Sequence, residues 1–167
     1  MKKITTLLTV MVIIMLGLSS CSDSESMKKL DGKWTTTMTE SQAGEQLDMN
    51  MTLTLDAEAG TGNFDVKVST TSLPDFFSFK VPVKKWSATS DKLSMTLDKD
   101  NIQMVFGDAF RQMATMSGAN LKDLEEEMKK EMKSEIDGFG ESTIKSIGEN
   151  DFVLTESGSE IKFTRVK

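Results

Sequence analysis

Methionine is the most distinctive chemical group in this 167-residue chain: there are 13 Met, no His, no Tyr and one Cys. Thioethers bind Cu(I), and three groupings have ligand-like spacing: Met49-Asn50-Met51, Met113 with Met116, and Met128 with Met132. Every one of these Met residues falls on an inferred apolar face, where Met serves as a flexible packing residue. With His missing as the usual second ligand type, the pattern reads as core, and no metal is assigned. The run Glu125-Glu126-Glu127 could hold a cation, but Lys129, Lys130 and Lys133 interleave on the same segment and mark a solvated face. No Asp/Asn/Gly loop has the spacing of Ca²⁺ ligands.

The same composition closes other routes. Without His there is no imidazole base, no Ser-His-Asp or Cys-His pair and no His-ligated metal. One Cys allows no intramolecular disulfide. No nucleophile stands with an activating base, and no Gly-rich loop cradles phosphate. The reading is non-enzymatic and without cofactor. A formal net charge of -6 argues against nucleic acid, whose phosphates need clustered Lys and Arg.

The single Cys has a context. Lys2 and Lys3 precede an apolar stretch from Ile4 to Leu18, which is short of the about 20 residues a membrane-spanning helix needs. Leu18-Ser19-Ser20-Cys21 follows. This order resembles the lipobox of bacterial lipoproteins. The resemblance implies a signal peptide over 1-20, cleavage before Cys21, and acylation of Cys21 by chains such as palmitate as the membrane anchor. Each buried CH₂ adds about 0.8 kcal/mol, so two or three chains hold a protein nearly permanently. Residues 21-29 read as a lipidated acidic tether, because Ser22–Met27 is too polar to bury anything. Acidic residues after the Cys resemble the surface-export signals of some Gram-negative lipoproteins; a plain solvated spacer is the other reading. The expected location is the cell envelope, lipid-anchored at the outer membrane, on its periplasmic or surface face.

Residues 30-167 show period-two alternation. Trp34, Thr36 and Met38 face one way on a first strand. Leu47, Met49, Met51, Leu53 and Leu55 do so on a second, Phe64, Val66 and Val68 on a third, and Phe77, Phe79, Val81 and Val83 on a fourth. The parity then slips to Trp86 and Ala88, so a bulge is expected at Lys84-Lys85, with Pro82 at an edge or bulge. Leu93, Met95 and Leu97 give a fifth strand. The period then changes: Ile102, Val105, Phe106, Ala109, Phe110, Met113 and Met116 recur at three and four. This predicts an amphipathic helix beginning at Asp100 or Asn101 and stopping near Ser117-Gly118. A second helix is expected from an Asn120 cap to Gly138, with Leu121, Leu124, Met128, Met132 and Ile136 as its stripe. Glu125/Lys129 and Glu126/Lys130 are its i,i+4 pairs. Three short strands close the chain: 142–147, 152–156 and 160–166.

Eight hairpin-linked strands make a sandwich or a closed up-and-down barrel, and closure removes the edge problem. Gly32-Lys33-Trp34 opens the first strand and Phe163-Thr164-Arg165 closes the last. These positions resemble the lipocalin and calycin families, which carry Gly-x-Trp at the barrel's start and a last-strand Arg stacked over that Trp. The resemblance implies those roles for Gly32, Trp34 and Arg165. It departs from the family plan in lacking a Tyr-containing middle motif, a helix after the last strand and a disulfide. The expected fold is a mostly β, eight-stranded antiparallel up-and-down lipocalin-like barrel. A two-helix insert, about 101-137, lies between strands five and six.

Two functions fit. In one, the barrel binds a small hydrophobic ligand among Met38, Met49, Met51, Phe64, Phe77, Phe79 and Met95, with Lys80, Lys84, Lys85 and Arg111 meeting an acidic headgroup. In the other, the barrel is filled, and the protein is a non-catalytic scaffold contacting a protein partner through the helical insert or outer wall. Phe76-Phe77, after Pro74, reads as core aromatic or as barrel mouth under a helical lid.

Overall fold

The computed structural model describes residues 23–42, 45–136, 140–156 and 159–167. Cys21, the leader before it and Gly138 lie outside the described residues.

Among the described residues, nine strands alternate inward and outward positions: β1 (Gly32–Gln42), β2 (Glu45–Asp56), β3 (Thr61–Thr70), β4 (Phe77–Ala88), β5 (Lys92–Leu97), β6 (Gln103–Phe106), β7 (Glu141–Ile147), β8 (Asp151–Glu156) and β9 (Ser159–Arg165). The sheet order is β3-β2-β1-β9-β8-β7-β5-β4-β6, and β3 also pairs with β4. That extra pairing closes an antiparallel barrel of eight strands, with β6 as an additional strand. The register shift between Val83 and Lys85 is the bulge expected from the parity slip, and it lets both Val83 and Trp86 point inward.

β6 corrects the reading of residues 102–106. The three-and-four spacing there suggested a helix. Instead Ile102, Met104 and Phe106 are buried in alternation and β6 pairs with Phe77–Lys80 of β4. Its neighbour β5 pairs with the other half of β4, beyond the bulge. A 3-10 turn, Lys99–Asn101, capped by Asp98, lies between them. The helices follow β6, as α2 (Asp108–Met116) and α3 (Leu121–Ile136). Gly107 marks the change of period, because a Cβ there would lie 1.5 Å from the Asp75 carbonyl oxygen. Only glycine permits that approach, in which the Gly107 amide donates to Phe76 O at 3.0 Å.

The expected tether is also corrected. Ser24–Leu30 forms a helix, α1, whose N-cap Asp23 accepts from the Glu25 amide. Ser26 and Leu30 are buried. The run is polar, yet its one strong hydrophobe, Leu30, is fully buried and so pins the segment to the barrel.

The core is one cluster of inward side chains from every strand, joined by Met128, Met132 and Ile136 of α3. β9 meets β1 only at Trp34–Arg165 and Thr35–Thr164, and β7 meets β5 only over Lys92–Ser94. The β7–β9 ribbon is thus pinned to its neighbours near one end of the barrel. α3 stands beside the 3-10 turn, with Lys133 Nζ 3.3 Å from Asp100 Oδ1. Its buried face makes it part of the core.

Candidate functional site

The pinned end is shut by aromatic packing. Trp34 and Phe152 meet edge-to-face at 4.9 Å, and Phe152 stacks on Phe163 at 4.8 Å. The indole N–H of Trp34 donates to Leu30 O at 2.7 Å, which satisfies a buried polar group and ties α1 to β1. Arg165 Cζ lies 4.0 Å from the Trp34 ring centroid. Gly32 has φ of 113°, and a Cβ there would meet Arg165 Nη1 at 2.8 Å. Gly32, Trp34 and Arg165 therefore form one contact group, in which the glycine makes room for the guanidinium.

The expected ligand set divides in two. Met49, Met51, Phe64, Phe77, Phe79 and Met95 all point inward and are at most 9% exposed, and Met38 is half-buried. The cations do not converge on them. Lys84 is exposed at the bulge and pairs with Asp98 at 3.0 Å. Arg111 Nε donates to Phe106 O at 2.9 Å, so this side chain caps a backbone carbonyl of β6. Phe76 is half-buried, edge-on to Phe77 at 5.1 Å and to Phe110 of α2 at 4.9 Å. The aromatic contacts thus run from the core through Phe76 to α2.

The methionine reading needs one correction. Met49, Met51, Met128 and Met132 are core, as their faces implied, but Met113 and Met116 are 50% and 88% exposed. Val105 of β6 is 55% exposed as well, so three residues that the helical stripe had assigned to the interior face solvent. α2 buries only Ala114, because β6 already takes the contact that a longer helix would have made.

Among the described residues, two depressions open to solvent. One of about 740 Å³ is lined by α1 and the β2–β3 turn, including Met27, Lys28, Leu55 and Ala57. The other, of about 400 Å³, runs between β3, β4 and the start of α2, past Lys67, Phe77 and Gly107. Near the β5–β6 break, the Asn101 amide holds the Asp98 carboxyl below its ordinary range, with help from Lys84 and against the effect of burial. The hydrogen bond from Lys92 to Glu141 raises the lysine, tying β5 to β7 where they meet.

The 3-10 turn, β6 and α1 are the functional surroundings that sequence reasoning missed. The signal for β6 was the alternation of Ile102, Met104 and Phe106, hidden under a competing helical spacing. The chain matches no protein-family model and no curated protein.

Proposed function

We propose that this chain is a lipid-anchored, non-catalytic interaction module of the cell envelope, whose barrel is filled by its own side chains. The anchor rests on the Lys2–Cys21 pattern. The observation that supports a filled barrel is the burial of the inward Met and Phe residues together with the Met128, Met132 and Ile136 face of α3 in one cluster. A helix whose apolar face is buried together with the inward side chains of the barrel is what a self-filled core requires. The contact surface is then the exposed apolar side of β6 and α2, Val105, Met113 and Met116.

The hydrophobic-ligand reading stands second. It is favoured by half-buried Met38, which lies on the part of β1 beyond its pairing with β9. Titrating the full chain in detergent with a fluorescent fatty acid separates the two. The filled barrel predicts no saturable uptake. Stoichiometric uptake that Met38→Trp abolishes establishes the ligand binder.

A further inference from the structure

We propose that the shut end of the barrel rests directly on the bilayer, so that the Trp34–Arg165 end faces phospholipid headgroups and the helical insert points away. This rests on the lipid-anchor reading of Cys21.

The argument starts from the length of chain before the first fixed residue. The Asp23 amide donates to Ala88 O at 2.8 Å, and α1 begins at the next residue. Only Ser22 separates Asp23 from Cys21. Consecutive Cα atoms are about 3.8 Å apart, so Cys21 lies within about 7.6 Å of Asp23, whatever its conformation. An acylated Cys21 therefore has no slack, and the protein surface around Ala88 must sit at headgroup level.

That surface is one end of the barrel. Ala88 ends β4, beside the turn into β5 at Lys92. α1 runs from there to Leu30, whose carbonyl receives the Trp34 indole. The β2–β3 turn belongs to the same end, since Trp86 donates its backbone amide to Gly60 O and its indole N–H to Asp56 O. So does the β7–β8 turn, through Arg165 and Glu149. The turn 71–75 belongs to the opposite half, where Thr70 pairs with Leu47, and so does the start of α2, since Gly107 donates to Phe76 O.

Charge does not choose the end. Lys28, Lys29, Lys33, Lys85 and Lys92 stand with Asp23, Glu25, Asp31, Asp56, Glu58, Asp91 and Glu149 at the shut end, and α3 mixes Lys122, Lys129, Lys130 and Lys133 with its own acids. The orientation is set by the short link to Cys21. The depression between α1 and the β2–β3 turn opens on this end, where Met27, Leu55 and Ala57 stand with Lys28 and the carboxylates of Asp31, Asp56 and Glu58.

Hydrogen exchange tests the orientation. The full chain, expressed with its leader, is isolated from the membrane fraction and reconstituted into phosphatidylethanolamine/phosphatidylglycerol vesicles. The chain begun at Ser22, without leader or Cys21, is the soluble reference. The expected result is exchange several-fold slower on vesicles at 57–60, 89–92 and 148–150, with 71–75 unchanged. A second variant inserts about ten Gly/Ser residues between Ser22 and Asp23, adding a reach of about 18 Å. It should stay membrane-bound and lose the protection. A membrane-bound chain without protection at the shut end, or with protection at 71–75, overturns the orientation and leaves the anchor standing. A chain that never enters the membrane fraction overturns both.

Discussion

Arg165 sits over Trp34, 4.0 Å from the ring centroid, and each of its three guanidinium nitrogens donates to a different carbonyl. Nε reaches Glu149 O at 2.8 Å, Nη1 reaches Asp31 O at 2.7 Å and Nη2 reaches Lys29 O at 2.6 Å. One side chain of the last strand thus joins the end of α1, the entry to β1 and the β7–β8 turn. The planar fork requires Arg: Lys can make a cation–π contact with an indole, but it supplies neither three spread donors nor planar stacking.

Truncating Trp34 to Ala should destabilise by about 3–5 kcal/mol, as for other fully buried aromatics. Arg165→Ala should cost about 1–2 kcal/mol, the range of a partly desolvated cation–π contact. Arg165→Lys should recover little of that loss. Urea unfolding of the two single variants and the double variant gives the coupling, expected at about 0.5–3 kcal/mol for residues in contact. Strict additivity would show that the stack contributes nothing.

Met132 and Met116 lie on the same helical pair, at 3% and 88% exposure. Met132→Ala should cost about 2–5 kcal/mol, and Met116→Ala should stay within about 0.5 kcal/mol of the parent. Replacing 108–136 by a short Gly/Ser turn should abolish cooperative unfolding, because the α3 face is core. A deletion that leaves a sharp thermal transition and an intact β-sheet circular dichroism signal would make the pair a detachable lid.

Gly107→Ala should be strongly destabilising, since its Cβ would collide with backbone at 1.5 Å and not with a movable side-chain tip. The loss should reach or exceed the about 1–3 kcal/mol of ordinary overpacking. It should also free Phe76, seen as altered near-ultraviolet dichroism. An unchanged melting temperature would refute the close approach.

Asp98 links stability to pH. Its carboxyl is held below its ordinary value of 3.8 by the Asn101 amide and Lys84. A depressed folded-state value means that the unfolded chain binds the proton first as pH falls. The contribution is fully present above the unfolded value and is lost as pH drops through the folded one. Denaturant midpoints compared at about pH 7 and about pH 3 should therefore fall less in Asp98→Asn than in the parent. Equal falls would show that Asp98 titrates normally.

Much of the barrel was legible in the sequence because one buried face imposes a strict period of two. Leu47 to Leu55 and Phe77 to Val83 announce both their strands and their inward sides, and the slip to Trp86 announces the bulge. Gly32, Trp34 and Arg165 could be picked out as a set by their resemblance to the lipocalin and calycin pattern, not by their types or spacing alone. The sequence by itself therefore determined eight of the nine strands among the described residues, and their inward faces. Residues 102–106 show what it left undecided. Ile102, Val105 and Phe106 satisfy a helical period, while Ile102, Met104 and Phe106 satisfy a strand period. The open edge of β4 at Phe77–Lys80 chose the strand by offering backbone partners. That choice shortened the helix and left Met113 and Met116 in water. The polar run Ser24–Met27 likewise became ordered only because Leu30 finds a cavity beside Trp34. Local periodicity reports which side chains want burial; whether burial is available depends on partners far away in sequence, and only the folded chain supplies those.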